Sequence, residues 1–428
     1  MLLGLTLVTL TAPSGGAGQQ LTTADRARAV ATLWSEARYN FAHWDRVRGD
    51  WDSAFTATLT AANAGQSDIQ FYRLLRRMAV LLNDGRTGIV PAPAVQARLG
   101  RPPLLVRAIE GRAFILDYAE NDEMRVARPE RLAEILSVQG IPVDAWIRDS
   151  ILPITGGVTP EDRWQRATGQ LLEGTRGTAV QLQLRLPGGA IRGASVTRSI
   201  AQSERWPLTR PALEVDTLAD RTVWVRLNSF EDPDVTRDFD RAFPDFRGVA
   251  GLILDVREND AGAGASGTAI LARLTDKPFP AARWSTPLHR AVPFSTGPRD
   301  TARAWYVAPL DTVWPRGDRP NYTGPIAVLT SLRTTGPAED FVVAARSAQR
   351  GTVIGERTAG DPGRVMAIPL PRGWRFLACV TWSAFPDGTE FGGIGIAPDQ
   401  RVAVTVADVL AGRDAALERA RAYLASRR

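Results

Sequence analysis

The chain has 428 residues, 44% of them hydrophobic, enough for a large core divided over two or three domains. Its net charge of +6 rests on arginines scattered among Asp and Glu, with Lys277 the only lysine, a solvated mixed-charge surface rather than a nucleic-acid footprint. One cysteine, Cys379, excludes an internal disulfide, and with only two histidines, His43 and His289, no metal-ligand spacing and no cofactor motif is read.

Residues 2–12 form an apolar run followed by Pro13-Ser14-Gly15-Gly16-Ala17-Gly18. About twenty apolar residues are needed to cross a bilayer, so the run is too short for a membrane helix. It reads as the h-region and small-residue cleavage zone of a secretory signal over residues 1–18, although the basic n-region is missing. The expectation is export to a periplasm or medium, a mature chain starting near Gln19, and no integral membrane segment within it.

Thr22 and Asp25 form a capping-box pattern ahead of the helical stripe Val30, Leu33, Trp34 and Ala37. Trp51, Phe55, Leu59 and Ala62 repeat the spacing, as do Ile69, Tyr72, Leu75, Met78 and Leu82 behind a Ser67 cap. These predict a helical domain over residues 22–90, with 91–103 as a linker.

Short runs follow. Residues 106–109, 113–116 and 134–138 are strand-like, and 180–186 alternates with period two before the turn Pro187-Gly188-Gly189. A β-domain over residues 100–200 is predicted, and Cys379, in the apolar run 376–380, reads as core. From residue 222 onward, 223–227, 249–256, 326–330 and 353–355 are near-continuous apolar runs separated by helix-length segments, the mark of a buried, largely parallel sheet. The α/β domain is predicted over 205–428, ending in a helix over 407–428.

Residues 325–360 carry the densest signal. The apolar run 326–330 ends in Ser331-Leu332-Arg333-Thr334-Thr335-Gly336, and Pro337-Ala338-Glu339-Asp340-Phe341 opens a helix with proline at its first position. Such a strand–elbow–helix unit points orphan N–H groups and the positive helix end at whatever stands in front of it, which suits an oxyanion or a peptide carboxylate.

This elbow, the strand and loop at 251–259, the segment Leu82-Asn83-Asp84-Gly85-Arg86-Thr87, and the closing stretches Phe385-Pro386-Asp387-Gly388 and 393–399 resemble the S41 family of tail-specific and tricorn-like serine peptidases, in the family's order. The aromatic residues Trp34, Tyr39, Phe41 and Trp51 fit the helical region of the tricorn-like branch. The resemblance implies a multidomain α/β fold: an N-terminal helical domain, a β-domain of PDZ type, and a C-terminal α/β domain with a largely parallel sheet. Residues 135–143 are similar to the strand and turn of PDZ domains, which capture peptide termini by strand addition. A structural β-domain without ligand is the alternative.

The resemblance also assigns slots. The family's nucleophilic serine falls on Gly336, the tricorn-like histidine base on Arg86, and the acid orienting that base near Gly392. The tail-specific branch uses a lysine downstream of the nucleophile, where Asp361 and Pro362 stand instead. Glycine has no oxygen to attack with, and a guanidinium is no base at neutral pH. The peptide-binding and oxyanion loop maps to Asn259, Gly262, Gly336 and Pro337, with Asp260-Ala261 where glycines are usual. A rewired pair of Thr335 with His289 is the possible substitute for a nucleophile and base, His43 reading as a packed structural residue. Three readings follow: a catalytically inactive peptide-binding pseudopeptidase whose partner is a peptide or an unstructured protein C-terminus, an active atypical serine-type peptidase, or an apolar-ligand carrier on the same fold.

Overall fold

The computed structural model describes residues 20–427 apart from 128, 205–209, 247, 289–303 and 319. The expected signal segment and His289 lie outside the described residues. No helix among the described residues is long and apolar enough to cross a membrane.

Local chemistry starts the N-terminal helices where the sequence places them. Thr22 and Asp25 exchange both capping-box bonds at the start of Thr23–Asn40, Asp50 accepts from Asp52 and Ser53 N–H ahead of Trp51–Ala62, and Ser67 and Gln70 cap Asp68–Ala79. Their apolar faces share one core with Trp374 and with Phe376 and Cys379 of the strand that follows it, Arg375–Cys379. That strand pairs with Gly88–Val90, so the helical region is stitched to the C-terminal half. The stretch 91–103, expected as a linker, holds a short helix, Pro93–Gln96, and a strand, Leu99–Arg101, which pairs with Gly174–Thr175 and Ile200–Ala201. Its backbone groups are paired by residues some seventy or more positions away, a partnership no local signal reveals.

The β-domain is a sheet in the order Leu104–Ile109, Arg112–Tyr118, Ala133–Val138, Ala179–Arg185, Ile191–Thr197, antiparallel throughout. Ala179–Arg185 alternates exposed and buried along its whole length, as its period-two sequence demands. Helix Pro160–Gln170, capped by Thr159, packs beside the edge strand Leu104–Ile109.

The C-terminal sheet runs Leu213–Thr217, Thr222–Leu227, Gly251–Asp255, Ile326–Thr330, Thr352–Gly355, Gln400–Arg401. The first pair is antiparallel and the other four are parallel. Its central strands are buried on both faces: Leu252, Leu254 and Val328 pack under helices Val235–Ala242, Gly264–Leu271 and Pro337–Ser347, whereas Ile253, Ala327 and Leu329 pack against Ala415–Ala425. The single helix expected over 407–428 is two, Val406–Leu410 and Ala415–Ala425. Gly412 turns left-handed (φ +64°) and Asp414 caps the second helix, so the chain stops and restarts.

Candidate active site

The elbow between Ile326–Thr330 and Pro337–Ser347 holds Gly336 at φ +56°, ψ −116°. Residues with a β-carbon occupy this region only under strain, and nucleophile elbows use such strain to push a side chain out of a strand–turn–helix corner. Gly336 takes this corner conformation without a side chain. Arg86 stands over the glycine, for a β-carbon there would lie 2.2 Å from its Nη1. The same Nη1 donates to the Gly363 carbonyl.

The N–H groups of this helix end are already used. Gly336 N–H donates to Glu339 Oε2 (3.2 Å), Pro337 has none, Ala338 N–H goes to the Thr335 carbonyl (3.3 Å), and Glu339 and Asp340 N–H go to the Gly336 carbonyl (2.9 and 3.1 Å). The expectation of orphan donors at the elbow is therefore corrected: Gly336 and Pro337 offer no open N–H to an oxyanion. The hydroxyls are committed too. Ser331 donates to the Arg257 carbonyl (2.7 Å), Thr334 to Val256 (2.9 Å) and Thr335 to Asp361 (3.3 Å), and all three side chains are buried.

Asn259 reaches the elbow through its carbonyl, which accepts from Thr335 N–H (3.2 Å). Its own N–H goes to Val256 and its side-chain amide donates to the Leu227 carbonyl (2.9 Å), so it acts as a brace rather than a donor. Gly262 bridges Phe230 instead of facing the elbow, and a β-carbon there would sit 1.8 Å from the Phe230 carbonyl carbon. The structure thus brings Gly336, Arg86, Thr335 and Asn259 together and places Gly262 in a neighbouring backbone contact.

Residues 221–402 match the family model of peptidase family S41. Over those residues the chain is similar to peptidase family S41. It is 26% identical over 243 residues to the chloroplastic C-terminal processing peptidase of Tetradesmus obliquus, a match covering 54% of this chain and 47% of that protein, so it spans about half the length of this curated relative. Among solved structures, mature CPAF superposes with a TM-score of 0.70 at 15% identity, covering 94% of this chain and 96% of that one. The photosystem II D1 C-terminal processing protease gives 0.50 at 19% identity, over 88% and 93%. At such identities the likeness is one of fold: a mixed α/β multidomain architecture.

Around the S41 elbow lies a polar layer that sequence reasoning missed. Glu339, fully buried, accepts from Thr358 Oγ1 (2.6 Å), Gly360 N–H (2.8 Å), Asp361 N–H (3.0 Å) and Gly336 N–H, and ties the elbow to the next loop. Burial nevertheless pushes its carboxyl up to about 7, outweighing those four donors. Burial also raises Asp340 to about 6 against the opposing pull of Arg86 and Arg364. Asp361 is raised well above the usual carboxylate range, by burial first and then by Asp84, although Arg166 Nη2 bonds its Oδ2 at 3.1 Å. Arg166 in turn holds Asp162 (2.7 Å) and the Gly85 carbonyl (2.9 Å).

The third slot, Gly392, repeats the pattern of the first: a β-carbon there would lie 2.4 Å from Nη2 of Arg46. The two glycines at which the sequence resemblance expects functional side chains are thus each covered by an arginine. Next to Arg46, the fold gathers His43, Asp84 and Cys379, whose ligand-type atoms lie within 4.8 Å of one another. His43 was expected as packed structure and it is buried. Burial and the Arg46 guanidinium push its imidazole down to about 4, so the ring is neutral. The three residues are far apart in sequence, which is why spacing showed no ligand set.

A cleft of about 1570 Å³ opens beside this site, between the β-domain and the α/β domain. It is lined by the edge strand Leu104–Ile109, by Glu161, Trp164 and Gln165 of the flanking helix, and by Glu258, Asp260, Leu332 and Arg333 from the loops leading to the elbow. Gly336 and Arg86 are not among its lining residues.

Proposed function

We propose that this chain is an exported S41-fold protein that binds peptides and does not cleave them. The observation that carries the reading is Gly336 beneath Arg86 with the neighbouring N–H and O–H groups spent inside the fold. Acyl transfer needs a nucleophile, a base to deprotonate it and donors for the oxyanion. None of the three has a group to act through among the described residues of the elbow, and the Thr335 hydroxyl that a rewired site would use is buried and bonded to Asp361.

Binding has separate support. Leu104–Ile109 pairs with Arg112–Tyr118 along one edge and ends its sheet, with helix Pro160–Gln170 beside it and the large cleft in front. A PDZ-like domain captures a peptide in this arrangement by adding it as a strand, with backbone bonds that need no particular side chain. Arg210 on the cleft wall suits a free C-terminal carboxylate, whereas Arg107 and Arg333 are paired with Glu258. The same charged ring, with Glu258 and Asp260, argues against an apolar-ligand carrier.

The test is turnover and binding of one unstructured peptide with a free C-terminus by the purified chain. The expected result is saturable binding by fluorescence anisotropy, no cleavage, and no labelling by a serine-reactive phosphonate. Cleavage that disappears in Thr335→Ala would overturn the reading in favour of an atypical peptidase.

A further inference from the structure

We propose that His43 Nε2, Asp84 Oδ2 and Cys379 Sγ form a divalent-metal site, best suited to zinc, that staples the helical domain to the C-terminal half. One ring nitrogen of His43, one carboxylate oxygen of Asp84 and Cys379 Sγ lie within 4.8 Å of one another, and all three residues are buried. His43 Nε2 and Asp84 Oδ2 have no hydrogen-bond partner among the described residues. The Pro362 carbonyl faces the ring's other nitrogen, which places the imidazole proton on Nδ1 and leaves a lone pair on Nε2. A lone pair and a carboxylate oxygen therefore converge with no donor between them, the Cys379 thiol being turned to the Pro362 and Thr381 carbonyls (3.4 and 3.6 Å), and a cation is what that arrangement lacks.

The ligand set chooses the metal. Imidazole, carboxylate and a single thiolate match zinc, with three protein ligands and a fourth position left over. Ligand distances of about 2.0–2.3 Å would draw the three atoms inward by on the order of 1 Å. Cys379 binds as thiolate after losing its proton to solvent, so thiolate and Asp84 together neutralise the dication. Arg46 near His43, and Arg86 near Cys379, add positive charge around the cluster, and the buried Asp361 opposes them. The supports for a ligand cage are in place: Asp84 Oδ1 accepts from Arg86 and Thr87 N–H (3.0 and 2.6 Å), and Thr87 Oγ1 accepts from Cys379 N–H (3.1 Å). The ligands come from the loop after helix Thr23–Asn40, the loop before strand Gly88–Val90, and strand Arg375–Cys379, the pieces that join the two halves.

The experiment titrates the chelator-stripped full chain with cobalt(II), then zinc(II), following near-ultraviolet charge transfer and the thermal melt. Cys379 is the chain's only cysteine, so a cobalt–thiolate band can come from nowhere else. The expected result is a band saturating at one cobalt per chain, abolished by one equivalent of zinc, with a higher melting temperature. Cys379→Ala should remove the band and the melt shift, and His43→Gln should weaken metal affinity by roughly 10–100-fold. Absence of the band at saturating cobalt overturns the proposal, as does a stoichiometry unchanged by Cys379→Ala. Should that variant not fold, the wild-type band alone decides.

Discussion

The elbow and the cleft share loops but are finished in opposite ways. At the elbow, polar atoms are consumed internally and an arginine covers the glycine where a nucleophile would stand. A few residues away, the segments through Glu258 and Arg333 border open space with an edge strand across it. Chemistry depends on particular side-chain atoms and is lost by single replacements, whereas strand addition uses the backbone of an edge and survives them. Under the proposed function, the contrast is that of a peptidase-like fold which captures a peptide without cleaving it.

The largest expected effect comes from breaking the residue on which both regions lean. Arg166 belongs to the helix that flanks the cleft, yet its guanidinium neutralises Asp361 and Asp162 behind the elbow. Both carboxylates are almost wholly buried, 0% and 2% exposed. Burial already raises both carboxyls, so without the guanidinium they take up protons, and each lost buried hydrogen bond costs roughly 1–3 kcal/mol. Arg166→Ala should therefore lower the chemical-denaturation midpoint sharply and weaken peptide binding with it. Arg166→Ala with unchanged stability would mean that water already reaches these carboxylates.

The second effect is a pH slope. Glu339 is raised in the folded chain from an ordinary value of 4.5 to about 7. A raised carboxyl binds its proton more tightly when folded, so its contribution is fully present below about 4.5 and is lost as pH climbs through about 7. The change is on the order of 3 kcal/mol. Asp340 and Asp361, raised by burial, act with the same sign. Melting temperature across that window should fall as pH rises in the wild type and fall much less in Glu339→Gln. Equal slopes would place the titration elsewhere.

What could be read beforehand follows from the range of the interactions involved. Thr22, Ser67 and their partners three residues on are visible in sequence because a cap is closed within one turn. The runs at 223–227 and 326–330 are visible because strands buried on both faces need apolar residues at every position. Gly336 and Arg86 were each marked as departures, but their contact was not, because Arg86 reaches Gly363 across 277 positions. Glu339 was legible only as part of the helix start, and Arg166 and Arg46 carried no signal. A buried carboxylate among backbone donors looks in sequence like any surface glutamate, and Arg46 is one arginine among many. The occupied donors at the elbow were equally hidden, since Pro337 signals a helix start and only coordinates show where the remaining N–H groups go.

The smallest effect sharpens the comparison most. Gly336→Ser places a side chain at positive φ, a strain of about 1–3 kcal/mol, and into the space of the Arg86 guanidinium. Arg86→His alone removes the bond to the Gly363 carbonyl and takes from Asp340 one of its two nearby cations, leaving Arg364. Made together, the two changes should cost less than their sum, because the smaller imidazole vacates the volume the hydroxyl needs. Peptide turnover by the double variant should be trace at most. Gly392 leaves the new histidine without an orienting carboxylate, with Arg46 in that place, and Pro337 still supplies no N–H to the oxyanion. The measurement is a double-mutant cycle of denaturation midpoints beside turnover of the peptide used for binding. Strict additivity would show that Arg86 does not depend on the glycine beneath it. Robust cleavage would show that donors and orientation survive at the elbow, and that two side chains alone separate this cleft from a working peptidase.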